Sequence, residues 1–128
     1  MAGSNSNQTF RGKAAPDLSG NPYLVELADT TNPGNIKTLY TDTIGAGFKV
    51  NLLHVFGTCR YEGIFRVKID ALVVASFRTG AGNNNNEFYW TPIREVLAGE
   101  VLVIQFEAMS GRPVTDLEVY LHGREVAV

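Results

Sequence analysis

Cysteine occurs once, at Cys59, and histidine twice, at His54 and His122. A lone thiol closes no intrachain disulfide, and with only Arg60 as a basic neighbour Cys59 reads as a small strand-end residue. The two histidines are far apart, and neither has a Cys or Asp pair at metal-ligand spacing. Gly-x-Ser-x-Gly, His-Glu-x-x-His, P-loop and Cys-x-x-Cys patterns are all missing. Asp29, Asp42, Asp70 and Asp116 fall near expected strand ends or turns, where Asp serves the backbone. The expectation is therefore a protein that is not an enzyme, with no catalytic residue, metal or cofactor.

Positive charge is also scarce. Eleven Lys and Arg against thirteen Asp and Glu leave a net charge of −2, and no basic stripe appears. A phosphate backbone is held by clustered cations, so nucleic acid is not the expected partner. No apolar run approaches the length of a membrane helix, and the N-terminus lacks the apolar core of a secretory signal, which predicts synthesis in the cytosol. Asn7-Gln8-Thr9 fits the glycosylation acceptor pattern, but with no secretory signal it is read as chance.

What is present is alternation. In residues 63–78, Phe65, Val67 and Ile69 alternate with Ile64, Arg66 and Lys68, the period of a half-buried strand. Asp70-Ala71 interrupts the run before a second one begins at Leu72, so the two form a hairpin. The connection is either a two-residue turn or, because Ala71 replaces the favoured Gly, a three- or four-residue loop. A hairpin is marginal alone and must lay its apolar face on another sheet.

Further short runs follow the same logic. Residues 23–27 form a strand, and 36–42 another, with Ile36, Thr38 and Tyr40 on one face. In residues 48–56, Phe48, Val50, Leu52, His54 and Phe56 share one side, which places His54 among apolar residues as a satisfied or interface histidine. Glu87-Phe88-Tyr89-Trp90 is a strand with Trp90 in the core, and residues 92–100 hold at most a turn of helix between Pro92 and Gly99. Leu102, Ile104, Phe106 and Ala108 point inward, as do Leu117, Val119 and Leu121. His122 lies on the polar side and is assigned to surface or subunit contact.

The sum is an all-β, antiparallel β-sandwich of about eight strands, jelly-roll-like, in residues 22–128. Residues 1–21 are different. They are polar, with Phe10 and Leu18 the only sizeable apolar residues beyond Met1, and cannot bury enough surface to fold alone. They read as an extended N-terminal arm that takes its shape against its own domain or another subunit.

Residues 96–103, Val-Leu-Ala-Gly-Glu-Val-Leu-Val, look like the corresponding segment of several trimeric jelly rolls, and residues 116–123 fit the same layout. With its size and polar arm, the chain resembles the small capsid decoration, or cement, proteins of tailed bacteriophages. That resemblance implies a homotrimer on the virion surface, made in the host cytoplasm, that binds the major capsid protein and braces it through many weak contacts multiplied by avidity. It suggests Asn7, Phe10, Arg11, Lys13 and Tyr120 as contact residues, with no nucleic acid or membrane partner. The alternative is a receptor- or carbohydrate-binding sandwich of a tail fibre or similar adhesin. There Asn83 to Asn86 and aromatics such as Tyr61 or Tyr89 would meet sugar. A small enzyme on a sandwich ranks third.

Overall fold

The computed structural model describes residues 20–31, 34–80, 86–109 and 114–128. The arm expected in residues 1–21 lies outside them except for its last two residues. Among the described residues eight strands follow in order: β1 (Asn21–Thr31), β2 (Ile36–Thr43), β3 (Phe48–Thr58), β4 (Gly63–Ile69), β5 (Leu72–Thr79), β6 (Glu87–Val96), β7 (Val101–Ala108) and β8 (Val114–Ala127).

They form two four-stranded sheets, β1-β8-β3-β6 and β2-β7-β4-β5. The pairs β1·β8, β2·β7, β3·β6 and β4·β5 are nested, as in one long hairpin folded at the β4–β5 turn. Rolling that hairpin adds the β3·β8 and β4·β7 ladders, which gives a jelly roll. The expected turn is the tightest alternative: Ile69 pairs with Leu72, and Asp70 takes the left-handed backbone (φ 55°). Asp is one of the few residues other than Gly that tolerates it. Its carboxylate also accepts the Val101 backbone N–H at 3.0 Å, tying the hairpin tip to the start of β7.

The core fills the space between the sheets. Phe65 lies at its centre, its ring 4.7 Å from that of Phe106 and 5.3 Å from that of Phe77. Val67, Leu102 and Ile104 from one sheet meet Val55, Val119 and Leu121 from the other, all buried. Strands β4, β7 and β8 follow the expected alternation without interruption over these positions. Trp90 is buried as expected, and its indole N–H donates to the Val74 carbonyl at 3.0 Å across the β5–β6 side.

Three expectations are corrected. A bulge between Leu52 and His54 adds a residue to β3, so the core face runs Val50, Leu52, Val55, Gly57. His54 and Phe56 are thereby moved to the outer face, because one extra residue reverses the facing of all that follows. A second bulge, between Thr38 and Tyr40, places Tyr40 opposite the core residue Ile104 and parts it from Thr38. Finally, residues 92–96 are strand and not a turn of helix: β6 continues through an irregular stretch with a cis Thr91-Pro92 bond to Val96.

The side of the sandwich between edge strands β1 and β2 is closed by polar groups. Tyr23 OH donates to Asp42 Oδ2 at 2.5 Å and lies 2.7 Å from Tyr40 OH. Further along, Lys37 Nζ meets Asp29 Oδ1 at 2.8 Å and holds that carboxyl below the usual range. Burial pushes the Tyr23 hydroxyl far up, with the hydrogen bonds to Asp42 and Tyr40 adding to it, and burial also raises Tyr40. The sign follows from linkage. An unfolded tyrosine ionises near pH 10. In the fold both hydroxyls keep their protons beyond that point, so their contribution is complete below about pH 10 and declines as pH rises further. Urea midpoints followed by Trp90 fluorescence should fall above about pH 10 in the wild type and fall less steeply in Tyr23→Phe/Tyr40→Phe. Equal slopes would remove the cluster as the cause.

Candidate functional site

The two outer faces differ in chemistry. On β2-β7-β4-β5 the outward residues include Arg66, Lys68, Gln105 and Glu107, with Arg66 Nη2 2.8 Å from Glu107 Oε1. This is an ordinary solvated sheet surface. The outer face of β1-β8-β3-β6 instead carries rings.

Cross-strand register builds that second face row by row. Leu24, His122, His54 and Tyr89 stand opposite one another across all four strands, and the next row is Glu26, Tyr120, Phe56 and Glu87. The His54 ring stacks on Tyr89 with centroids 4.0 Å apart and 16° between planes, and meets His122 edge-on at 6.0 Å. Phe56 and Tyr120 lie 6.1 Å apart in the adjoining row. His54 Nε2 is 2.9 Å from Glu87 Oε1, which holds the imidazole plane where it backs Tyr89. Tyr89 is 59% exposed and Leu24 58%. The result is an aromatic platform with a supporting layer beneath its outermost ring.

Carboxylates border it. Tyr120 OH donates to Glu118 Oε1 at 3.2 Å, and that bond, with the charges of Glu118 and Glu26, raises the phenol. The charge of Glu87 likewise raises Tyr89. Rings and carboxylates together suit a partner that offers a flat or apolar group beside hydrogen-bond donors or cations.

A second surface forms where β2–β3, β4–β5 and β6–β7 connect. Its turns are tied together: Ile44 N–H donates to Glu100 O, Gly99 N–H to Ile44 O, Asp70 N–H to Val101 O and Val128 N–H to Gly47 O. The β6–β7 turn is held internally by Leu97 N–H to Glu100 Oε1 at 2.7 Å. Apolar side chains nonetheless face water here, Leu72 at 59%, Leu97 at 50%, with Val73 and Phe48 also exposed. Gly20, the first described residue, is at this same end beside Glu125.

Of the expected contact residues, Tyr120 is on the platform, whereas Asn7, Phe10, Arg11 and Lys13 lie outside the described residues. For the sugar-binding alternative, Tyr89 is on the platform and Tyr61 is not, being packed against the core. Asn83, Asn84 and Asn85 are outside the described residues, and the Asn86 carbonyl accepts from Gly57 N–H. Cys59 is half-buried, and burial pushes its thiol up, which fits the unreactive reading.

Sequence reasoning did not find His54, Phe56 and Leu24 as neighbours of Tyr120 and His122. The β3 bulge hid the first two, and strand order decided the rest. Among the described residues no group of three or more His, Cys, Asp or Glu is placed to hold a metal ion, and no helix is long and apolar enough to cross a membrane. No protein-family model, curated protein or solved structure matches the chain.

Proposed function

We propose that the chain is a non-enzymatic virion structural protein, a capsid decoration protein that bridges subunits of the major capsid protein. The observation that carries this reading is the apolar end. Leu72 and Leu97 are held outward on hydrogen-bonded turns, at the end where Gly20, the first described residue, lies. Exposed apolar groups on rigid turns bind with little ordering cost, and a polar segment leaving beside them widens the footprint without a larger core. A trimer of such units on a symmetric lattice would multiply weak contacts through avidity.

The test uses heads of the encoding virus assembled without this protein. Wild-type chain should co-sediment with them, and Leu72→Glu/Leu97→Glu should lower the apparent affinity at least tenfold, equivalent to about 1.4 kcal/mol or more. The urea midpoint of the variant should stay close to that of the wild type, since both side chains already face water. Wild-type affinity in the variant would remove the apolar end from the interface, and failure of the wild type to bind heads would remove the reading.

A second reading has its own observation. Tyr89 presents an exposed ring backed by His54, with Glu87 beside it, an arrangement suited to stacking on a sugar ring. In that case Tyr89→Ala would abolish glycan binding, and the Leu72 and Leu97 substitutions would leave it intact.

A further inference from the structure

The aromatic platform has Glu26 and Glu87 at the two ends of one row and Glu118 in the next. Its only facing cation-capable side chains in these rows are His54 and His122, and Arg124 stands one row away. Two such faces meeting about a two-fold axis would bring together more carboxylates than cations to pair them, so a second copy of this face is a poor occupant. A segment that carries cations and an aromatic ring is a good one.

The chain contains such a segment. Residues 1–16 include Arg11 and Lys13, no Asp or Glu, and the single aromatic Phe10. The place where this segment joins the fold is on the platform's own side. Arg124 is on the outward face of β8, two residues from His122, and its Nη2 donates to the Gly20 carbonyl at 2.6 Å. Opposite Arg124 on β3 stands Asn51, whose buried Oδ1 accepts no hydrogen bond from the described residues.

We infer that residues 7–13 of the same chain dock across this face in the free protein, with Phe10 on the Leu24, His54, Tyr89 and Tyr120 surface and Arg11 and Lys13 toward Glu26, Glu87 and Glu118. The reach is ample. Four residues along β1 and two strands across span roughly 15–20 Å, and ten extended residues reach about 33 Å. Attachment at Gly20 also gives the segment an effective concentration on the order of millimolar at its own platform, above that of any second copy in dilute solution. Cation–π contacts and charge pairs at such an exposed face are individually weak, so their sum holds the segment reversibly and leaves it available to a stronger partner. This inference does not depend on the capsid reading, since it concerns the isolated chain.

The experiment places a nitroxide at Thr9→Cys in a Cys59→Ser background of the full chain and reads NMR line broadening. Signals of His54, His122 and Tyr89 should lose at least half their intensity, and those of Leu72 and Leu97 should lose much less. The loss should survive tenfold dilution, weaken in high salt, and disappear in Arg11→Glu/Lys13→Glu. Mixing isotope-labelled chains that lack the nitroxide with unlabelled chains that carry it should give no broadening. Broadening in that mixture would assign the segment to a second copy, and broadening at the apolar end or nowhere would place it off the platform; each overturns the inference. Independently of the label, Arg11→Glu/Lys13→Glu with Cys59 retained should shift the His54 and His122 imidazole signals, and unchanged signals would also overturn it.

Discussion

Phe65→Ala should cost about 3–5 kcal/mol, the range for removing a fully buried aromatic ring from a packed core. Phe65 has no exposed surface, stacks on Phe77 and meets Phe106 edge to face, while its ring edge lies against Gly57 of the opposite sheet. Truncation leaves a void bounded by both sheets, and hydrogen-bonded strands cannot close around it as a loop could. Against a total stability of about 5–15 kcal/mol, the loss should lower the melting temperature by on the order of 10–20 °C. Phe48, also aromatic but 41% exposed, is the matched control. Its replacement by Ala should cost below about 1 kcal/mol. Urea unfolding followed through Trp90 gives both values, and similar losses at the two sites would contradict a core centred on Phe65.

Gly63→Ala should be nearly as damaging although it adds a single carbon. A Cβ at Gly63 would come within 2.1 Å of Phe106 Cζ, 2.7 Å of its Cε1 and 2.8 Å of the Glu107 carbonyl oxygen. The ring could rotate only by disturbing its edge-to-face contact with Phe65, and the carbonyl belongs to the β7 ladder. The expected cost is about 3 kcal/mol, at the upper end for overpacking. Gly99 supplies the contrast. It has a positive φ of 85° and nothing within 4 Å of where a Cβ would stand, so Gly99→Ala meets only backbone strain, about 1 kcal/mol. Combining Gly63→Ala with Phe106→Leu should recover part of the loss by removing the ring atoms, making the pair less than additive. A fully additive pair would show that the Glu107 backbone, and not the ring, sets the cost.

The two effects share one cause. Phe65, Phe77 and Phe106 occupy so much of the intersheet space that the strand beside them must begin with a residue lacking a side chain. Gly57 does for Phe65, from the other sheet, what Gly63 does for Phe106: a Cβ there would fall 2.6 Å from Phe65 Cε2. The glycines at these positions are thus part of the aromatic packing, a different role from Gly99 in its turn.

Alternation in residues 63–69, 101–108 and 117–121 determined by itself which side chains are buried. A strand's facing is local geometry, and these strands run unbroken over those positions. The turn residues likewise placed most strand ends, since Gly, Asn and Asp state their backbone preference locally. Tertiary structure alone decided the rest. Bulges in β2 and β3 reversed the facing of Tyr40, His54 and Phe56, because the extra residue is a compromise between paired strands and leaves no mark in either strand's composition. The platform depends further on strand order, which brings Leu24, His54, Tyr89 and Tyr120 together from four separate strands. Such long-range pairing is fixed by how the nested hairpin rolls to bury Phe65, a property of the whole chain and of no single stretch of it.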